Sequence, residues 1–110
     1  MRKESDIQKA ICKYLKMRQH RFHRMNNVGV YDAKRKGYRK THYGLRGVPD
    51  IYVFDRDHGT NKGRIVGLEV KSETGMQSDY QKAFEKVMEY GDGQYYIVRS
   101  VADVIEKAGL

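Results

Sequence analysis

"RIVGLEVKS", residues 64–72, is the stretch on which the fold turns: an apolar run broken by Glu69 and Lys71. Alternate residues of a strand project the same way, so Glu69 and Lys71 share a face and Val70 takes the other. Upstream, "VPDIYVFDRD" (48–57) reads as a second strand, with Ile51 and Val53 alternating against Tyr52 and Phe54. Pro49 is acceptable at its beginning, where no ladder bond is lost. "DRDHGTNKG" (55–63) supplies turn residues between them, which predicts a hairpin with a longish loop. Antiparallel pairing then sets Asp50, at the start of one strand, beside Glu69 and Lys71 at the end of the other.

Working outward, "ESDIQKAICKYLKMRQHRF" (4–22) carries Ile7, Ala10, Ile11, Tyr14 and Leu15 at helical spacing and reads as a one-sided helix. Ser5 and Gln8 have capping-box spacing, although a start one turn earlier is also open. Glu4 falls above the apolar face, either aimed into a cleft or simply favouring the positive helix end. "NNVGVYD" (26–32) predicts a short strand leading into a basic loop. "SDYQKAFEKVMEYGDG" (78–93) reads as a second helix with Tyr80, Phe84, Val87 and Met88 on its apolar face, a Ser78–Gln81 capping box and Gly91 to end it. "QYYIVRS" (94–100) is a last strand and "VADVIEKAG" (101–109) a closing helix. Tyr95 and Tyr96 cannot both face one side of that strand. The expected order is α-β-β-β-α-β-α in a single domain over 1–110, an α/β fold with a mixed sheet flanked by helices.

Charge narrows the partner class. The chain has 22 Lys and Arg against 14 Asp and Glu, a net charge of +8, which favours a polyanion. Lys34, Arg35, Lys36, Arg39, Lys40 and Arg46 crowd residues 31–47, with His42, Tyr31, Tyr38 and Tyr43 among them. The segment is either a solvated charged loop or a surface for backbone phosphates. A second basic cluster, "RQHRFHR" (18–24), precedes it. Cys12 is a single cysteine in an apolar pattern, which excludes an internal disulfide and a cysteine zinc cluster and suits a buried small hydrophobe. No apolar run approaches the roughly 20 residues of a membrane span, and the start of the chain lacks a signal-like segment, so an intracellular, cytoplasmic setting is expected.

Asp50, Glu69 and Lys71 admit two readings. They are a surface acid and an exposed salt bridge, or they are one site. Two adjacent carboxylates resist joint ionisation, and a hard divalent cation such as Mg2+ or Mn2+ relieves the repulsion. Lys71, protonated, would hold an attacking water or offset charge on phosphorus. That division of labour fits phosphodiester hydrolysis.

"RGVPD" (46–50), "GLEVKS" (67–72) and "SDYQ" (78–81), in this order, resemble the PD-(D/E)XK nuclease superfamily, and more closely the small stand-alone VRR-NUC proteins of phage and bacteria. Glu4 and Gln8 match polar positions of that family's first helix, and Asn26 and Asn27 fall where members often carry asparagine. Gly47 and Asp50 match its Gly-x-x-Asp, Glu69 and Lys71 its Glu-x-Lys, Gln81 its following glutamine, and "IVRS" around Arg99 its Val-x-Arg-like segment. The resemblance implies a restriction-endonuclease-like core. It implies Asp50, Glu69 and the Val70 carbonyl as ligands of Mg2+ or Mn2+, Lys71 handling water, Glu4 as a further acid and Gln81 orienting substrate or water. It also implies a homodimer acting on branched DNA such as a four-way (Holliday) junction, leaving a 5′-phosphate and a 3′-hydroxyl.

The remaining candidates are plainer. Met17, Met25 and the tyrosines are open between interface, core and DNA contact. Arg99 either orders a dimer or binds phosphate. His20 and His23 lack a neighbouring acid or thiol to complete a zinc site, His58 is a turn residue, and Ser72 and Ser78 lack the context of a nucleophile. Two alternatives stand beside the structure-selective nuclease: a non-catalytic nucleic-acid-binding module, and a restriction-like nuclease reading duplex DNA.

Overall fold

A computed structural model describes residues 2–25, 30–32, 37–39 and 46–110, the two three-residue segments by their backbone. Its elements are α1 (Glu4–Met17), β1 (Arg21–Arg24), β2 (Val30–Asp32), β3 (Gly37–Arg39), β4 (Ile51–Asp57), β5 (Lys62–Val70), α2 (Asp79–Tyr90), β6 (Gln94–Val98) and α3 (Val101–Ala108). β1, β4, β5 and β6 form one sheet in that order, and β2 with β3 a separate two-stranded antiparallel sheet. β1–β4 and β4–β5 are antiparallel, whereas β6 joins β5 in parallel through the α2 crossover. The result is a mixed four-stranded sheet flanked by three helices.

The predicted hairpin is present; its strands run into the expected turn, while β4 starts only at Ile51 and β5 ends at Val70. Ile51 pairs with Leu68 and Asp57 with Lys62. The loop shrinks to residues 58–61, where the Asp57 carboxylate accepts the Gly59 N–H at 2.8 Å and Asn61 takes φ +58°.

The first helix takes the earlier of the two starts the sequence leaves open and stops sooner than its pattern. It begins at Glu4, capped by Lys3 without a side-chain hydrogen bond, so Ser5 and Gln8 lie inside the first turns and form no capping box. Glu4 and Asp6 instead place negative charge at the positive helix end. It ends at Met17: Gln19 adopts φ +61° and His20 N–H closes onto Leu15 O. Arg21–Arg24, expected as the helix tail, is strand β1, with Phe22 opposite Val53. A ladder to a strand 27 to 33 residues away is a contact that local periodicity cannot register.

The two sheet faces have separate cores. Ile51, Val53, Val66, Leu68, Val70 and Val98 turn one way and bury against Ile7, Ile11 and Leu15 of α1 and Val104 and Ala108 of α3. On the other face Phe84 and Met88 of α2 pack on Tyr95, Tyr52 and Ile97. The two tyrosines of β6 divide as strand geometry requires: Tyr95 joins the α2 side and Tyr96 the α1/α3 side. The expected apolar face of α2 is only half used, because Tyr80 and Val87 are 55% and 50% exposed. At the far end of the hairpin Arg64 clasps three elements, donating to Asp55 Oδ2 (2.8 Å), Gln94 Oε1 (2.9 Å) and the Ala108 carbonyl (2.9 Å).

Candidate active site

Glu69 is the next-to-last residue of β5 and points to the α2 face, the same side as Gly67. Gly67 lets α2 come close, since a β-carbon there would lie 2.8 Å from Met88 Sδ. The approach leaves Glu69 only 3% exposed, the one buried charged residue among those described. Its Oε1 accepts from Gln81 Nε2 at 2.5 Å and lies 3.7 Å from Lys71 Nζ. Its Oε2 is buried with no hydrogen-bond partner among the described residues. Burial first, then the neighbouring charge of Asp50, push the Glu69 carboxyl up to about 8, with Glu4 adding to the rise and Lys71 opposing it. Desolvation and like charge outweigh the ammonium, so at neutral pH Glu69 keeps its proton unless another cation takes that place.

Asp50 reaches this point from the start of β4. Its backbone is fixed between strands: its N–H donates to Leu68 O (3.1 Å) and its carbonyl accepts from Met25 N–H (2.8 Å). Its Oδ2 accepts the Val70 N–H at 2.8 Å. The carbonyl of Val70 points the same way. Lys71 N–H donates to Val98 O on β6, and in a trans peptide the preceding carbonyl faces the opposite side. Asp50 and Glu69 thus lie together at this end of the β4–β5 pair, with the Val70 carbonyl on the Asp50 side.

Two further elements close around them. The Glu4 carboxylate comes from the first turn of α1, and Glu4 Oε1 lies 3.0 Å from where a β-carbon on Gly75 would sit, with Lys71 Cδ 3.4 Å from that point. The turn carrying Lys71 is held from beneath. Arg99 Nη1 donates to the carbonyls of Ser72 (2.5 Å) and Gly75 (2.8 Å), while the Arg99 N–H is taken by Asp103 Oδ2. Arg99 was expected at a dimer interface or a phosphate, and the contact found here is a brace behind Lys71. Lys71 is correspondingly confined, its side chain 12% exposed.

The sequence left Gln81 open between a helix cap and a site residue; in the fold it caps α2 and also bonds Glu69. Ser78 N–H donates to Gln81 Oε1 (2.8 Å) and Gln81 N–H to Ser78 Oγ (3.2 Å), which completes the capping box. The same amide then offers Nε2 to Glu69. Gly47 lets this helix start press against the loop before β4. With φ +79° it takes a conformation most residues avoid, and a β-carbon there would lie 2.3 Å from Tyr80 O and 2.6 Å from Gln81 N. Arg46, one residue earlier, stands over the Tyr80 ring at 4.9 Å and donates from Nη1 to the Tyr80 hydroxyl at 2.6 Å. The sequence placed Tyr80 on the apolar face of α2; its position at the rim follows from where Gly47 docks, which no helical periodicity encodes.

Lys34, Arg35, Lys36, Lys40, His42, Asn26 and Asn27 lie outside the described residues, as does the side chain of Arg39. Gln8, a polar position of the first helix in the resemblance, accepts from Arg24 Nη2 at 3.2 Å. Among the described residues no group of three or more His, Cys, Asp and Glu is arranged to hold a metal. His20 bonds the Leu110 carbonyl at 3.0 Å and His23 lies in β1 opposite Tyr52, so the two do not share a helix face. Cys12 is partly buried, and burial pushes its thiol up, as suits a packing residue. Burial also pushes the Tyr95 hydroxyl up to about 12, which keeps it neutral. A cavity of about 400 Å3 at the opposite end of the sheet is lined by Arg18, His20, Asp55, Arg56, His58 and Arg64 among others; there Arg64 and Arg56 already donate to protein oxygens. No described helix is long and apolar enough to cross a membrane. Comparisons with protein-family models, curated proteins and solved structures gave no significant match.

Proposed function

We propose that the chain is a metal-dependent nuclease of PD-(D/E)XK type, hydrolysing phosphodiester bonds in branched DNA, with Asp50, Glu69 and Lys71 at its centre. The observation that carries the reading is the Glu69 carboxyl, 3% exposed beside Asp50, where burial and that neighbouring charge push it up to about 8. A buried acid so placed is unfavourable by itself and becomes favourable with a divalent cation between the carboxylates. The donor set fits Mg2+ or Mn2+: two carboxylates and a carbonyl are hard oxygen ligands, and such ions keep several waters and substrate oxygens rather than a full protein cage. That the described residues hold no three-residue cluster of His, Cys, Asp and Glu is therefore compatible with this assignment.

Asp50, Glu69 and the Val70 carbonyl would hold the ion, and Gln81 fixes the orientation of Glu69. Bound there, the ion supplies a lowered pKa for an attacking water and a positive charge against the phosphate. Lys71, braced through Arg99, places an ammonium where it holds that water or meets the developing negative charge. Glu4 adds a third acid at the edge, in reach of a water. The +8 chain and its basic segment draw the polyanion in. A homodimer would supply two such centres related by a two-fold axis, as symmetrical cutting of a four-way junction requires.

The test is cleavage of labelled four-way junction, flap, single-stranded and duplex DNA with Mg2+, Mn2+ or EDTA. Metal-dependent cutting is expected, with a loss of at least about a hundredfold in Lys71→Ala. Activity that survives EDTA, or Lys71→Ala equal to wild type, would overturn the reading. Binding without cutting under every metal would favour a non-catalytic nucleic-acid-binding module.

A further inference from the structure

We infer that Arg46 and Tyr80 form a nucleotide platform at the rim of the acid site, where the ring stacks an unpaired base and the guanidinium meets its phosphate. The inference rests on the nuclease reading for its purpose, though not for its physical basis.

Tyr80 belongs to the sequence's apolar helix face, yet it stands 55% exposed on the first turn of α2. Its position is fixed from both sides. Its own backbone is pressed by Gly47, and the next residue, Gln81, is bound to Glu69. The ring therefore sits one residue from a ligand-orienting side chain, and Arg46 sits four residues before Asp50. The pair is also oriented internally, through the 4.9 Å cation–π contact and the 2.6 Å hydrogen bond to the hydroxyl. An exposed cation–π contact adds little to fold stability. As a preformed recognition surface it has a clear use, since every base has a π-face and every nucleotide a phosphate.

This geometry selects a class of substrate. A base inside a continuous duplex is already stacked and paired on both sides, and its face is closed to a protein ring. A base at a fork, flap or branch point offers its face without that penalty. The platform would thus favour strands with an unpaired nucleotide next to the bond being cut, and it would disfavour uninterrupted duplex.

The experiment uses the full chain in EDTA, so that binding is read without cutting. The probe is a forked DNA with 2-aminopurine at the first unpaired position, beside the same strand in continuous duplex. Wild type, Tyr80→Ala, Tyr80→Phe and Tyr80→Leu are compared, with thermal melting of each as the check on folding. Tyr80→Ala and Tyr80→Leu should bind the fork about tenfold more weakly, with brighter 2-aminopurine fluorescence in the complex. Tyr80→Phe should keep the quenching, and duplex affinity should change less than about twofold in all variants. Equal losses on fork and duplex, or quenching that is unchanged in Tyr80→Ala, would overturn the platform. A fork-specific Tyr80 effect in a protein that cuts nothing with any metal would support the platform and overturn the nuclease reading. Metal-dependent cutting indifferent to Tyr80 would do the reverse.

Discussion

In the folded chain Glu69 holds its proton to about pH 8, against an ordinary value of 4.5. Between those values the native state binds more protons than the unfolded chain, so stability falls as pH rises through the window. The loss is on the order of a few kcal/mol when complete. Glu69→Gln keeps the shape and removes the charge, so its melting temperature in EDTA should decline less between pH 5 and pH 8.5 than that of wild type. Mg2+ should restore wild type at the higher pH and leave Glu69→Gln unmoved. Matching pH curves for the two proteins would remove Glu69 as the buried, cation-seeking acid. Gln81 belongs to the same scale, since one amide both caps α2 and points Glu69. Its substitution by Ala therefore affects the helix start and the site together.

The elements are set against one another through residues without side chains. Gly47 meets the first turn of α2 and Gly67 meets its Met88, so the helix approaches both the β4 loop and the sheet. Gly47→Ala combines a left-handed φ with overlap against backbone atoms, which cannot rotate away. We expect it to destabilise the protein by about 2 kcal/mol or more, read from the urea midpoint. Gly63→Ala is the control. A β-carbon there would meet nothing nearer than the Asp55 carbonyl at 4.0 Å, and the change should be near neutral. Equal stability of the two variants would show that the loop and helix do not dock as described. The 71–75 turn depends on another element in the same way, because the Arg99 guanidinium reaches across from the end of β6 to hold its carbonyls.

At the level of the molecule the charge of +8 and the placement of the acid site work together. On the proposed reading the net positive charge would attract a phosphate backbone, and of the 14 acids Glu69 is the one buried among the described residues. Binding of forked DNA in EDTA should therefore weaken steeply with salt. Four phosphate contacts correspond to a loss of roughly a hundredfold between 50 and 200 mM. Affinity that is flat across that range would point to a partner recognised without its phosphates. The two cores support this arrangement, since α1 and α3 seal one sheet face and leave the other to α2 and the site.

Much of this was legible in the chain. The alternation of Ile51 with Tyr52 and the run through Leu68 and Val70 fixed a hairpin. The hairpin brought Asp50 to Glu69, because register and strand direction follow from pattern and turn residues. Helical spacing at Ile7, Ile11 and Leu15 and the Ser78–Gln81 box placed two helices for equally local reasons. Strand β1, the exposure of Tyr80, the brace through Arg99 and the dual bonding of Gln81 were decided only by tertiary structure. Each depends on which distant backbone lies alongside: β4 beside Arg21–Arg24, Gly47 beside Tyr80, the Ser72 carbonyl beside Arg99. The burial of Glu69 is the sharpest case. The sequence put an acid next to a lysine on one strand face, and the close approach of α2 over Gly67 removed that acid from water.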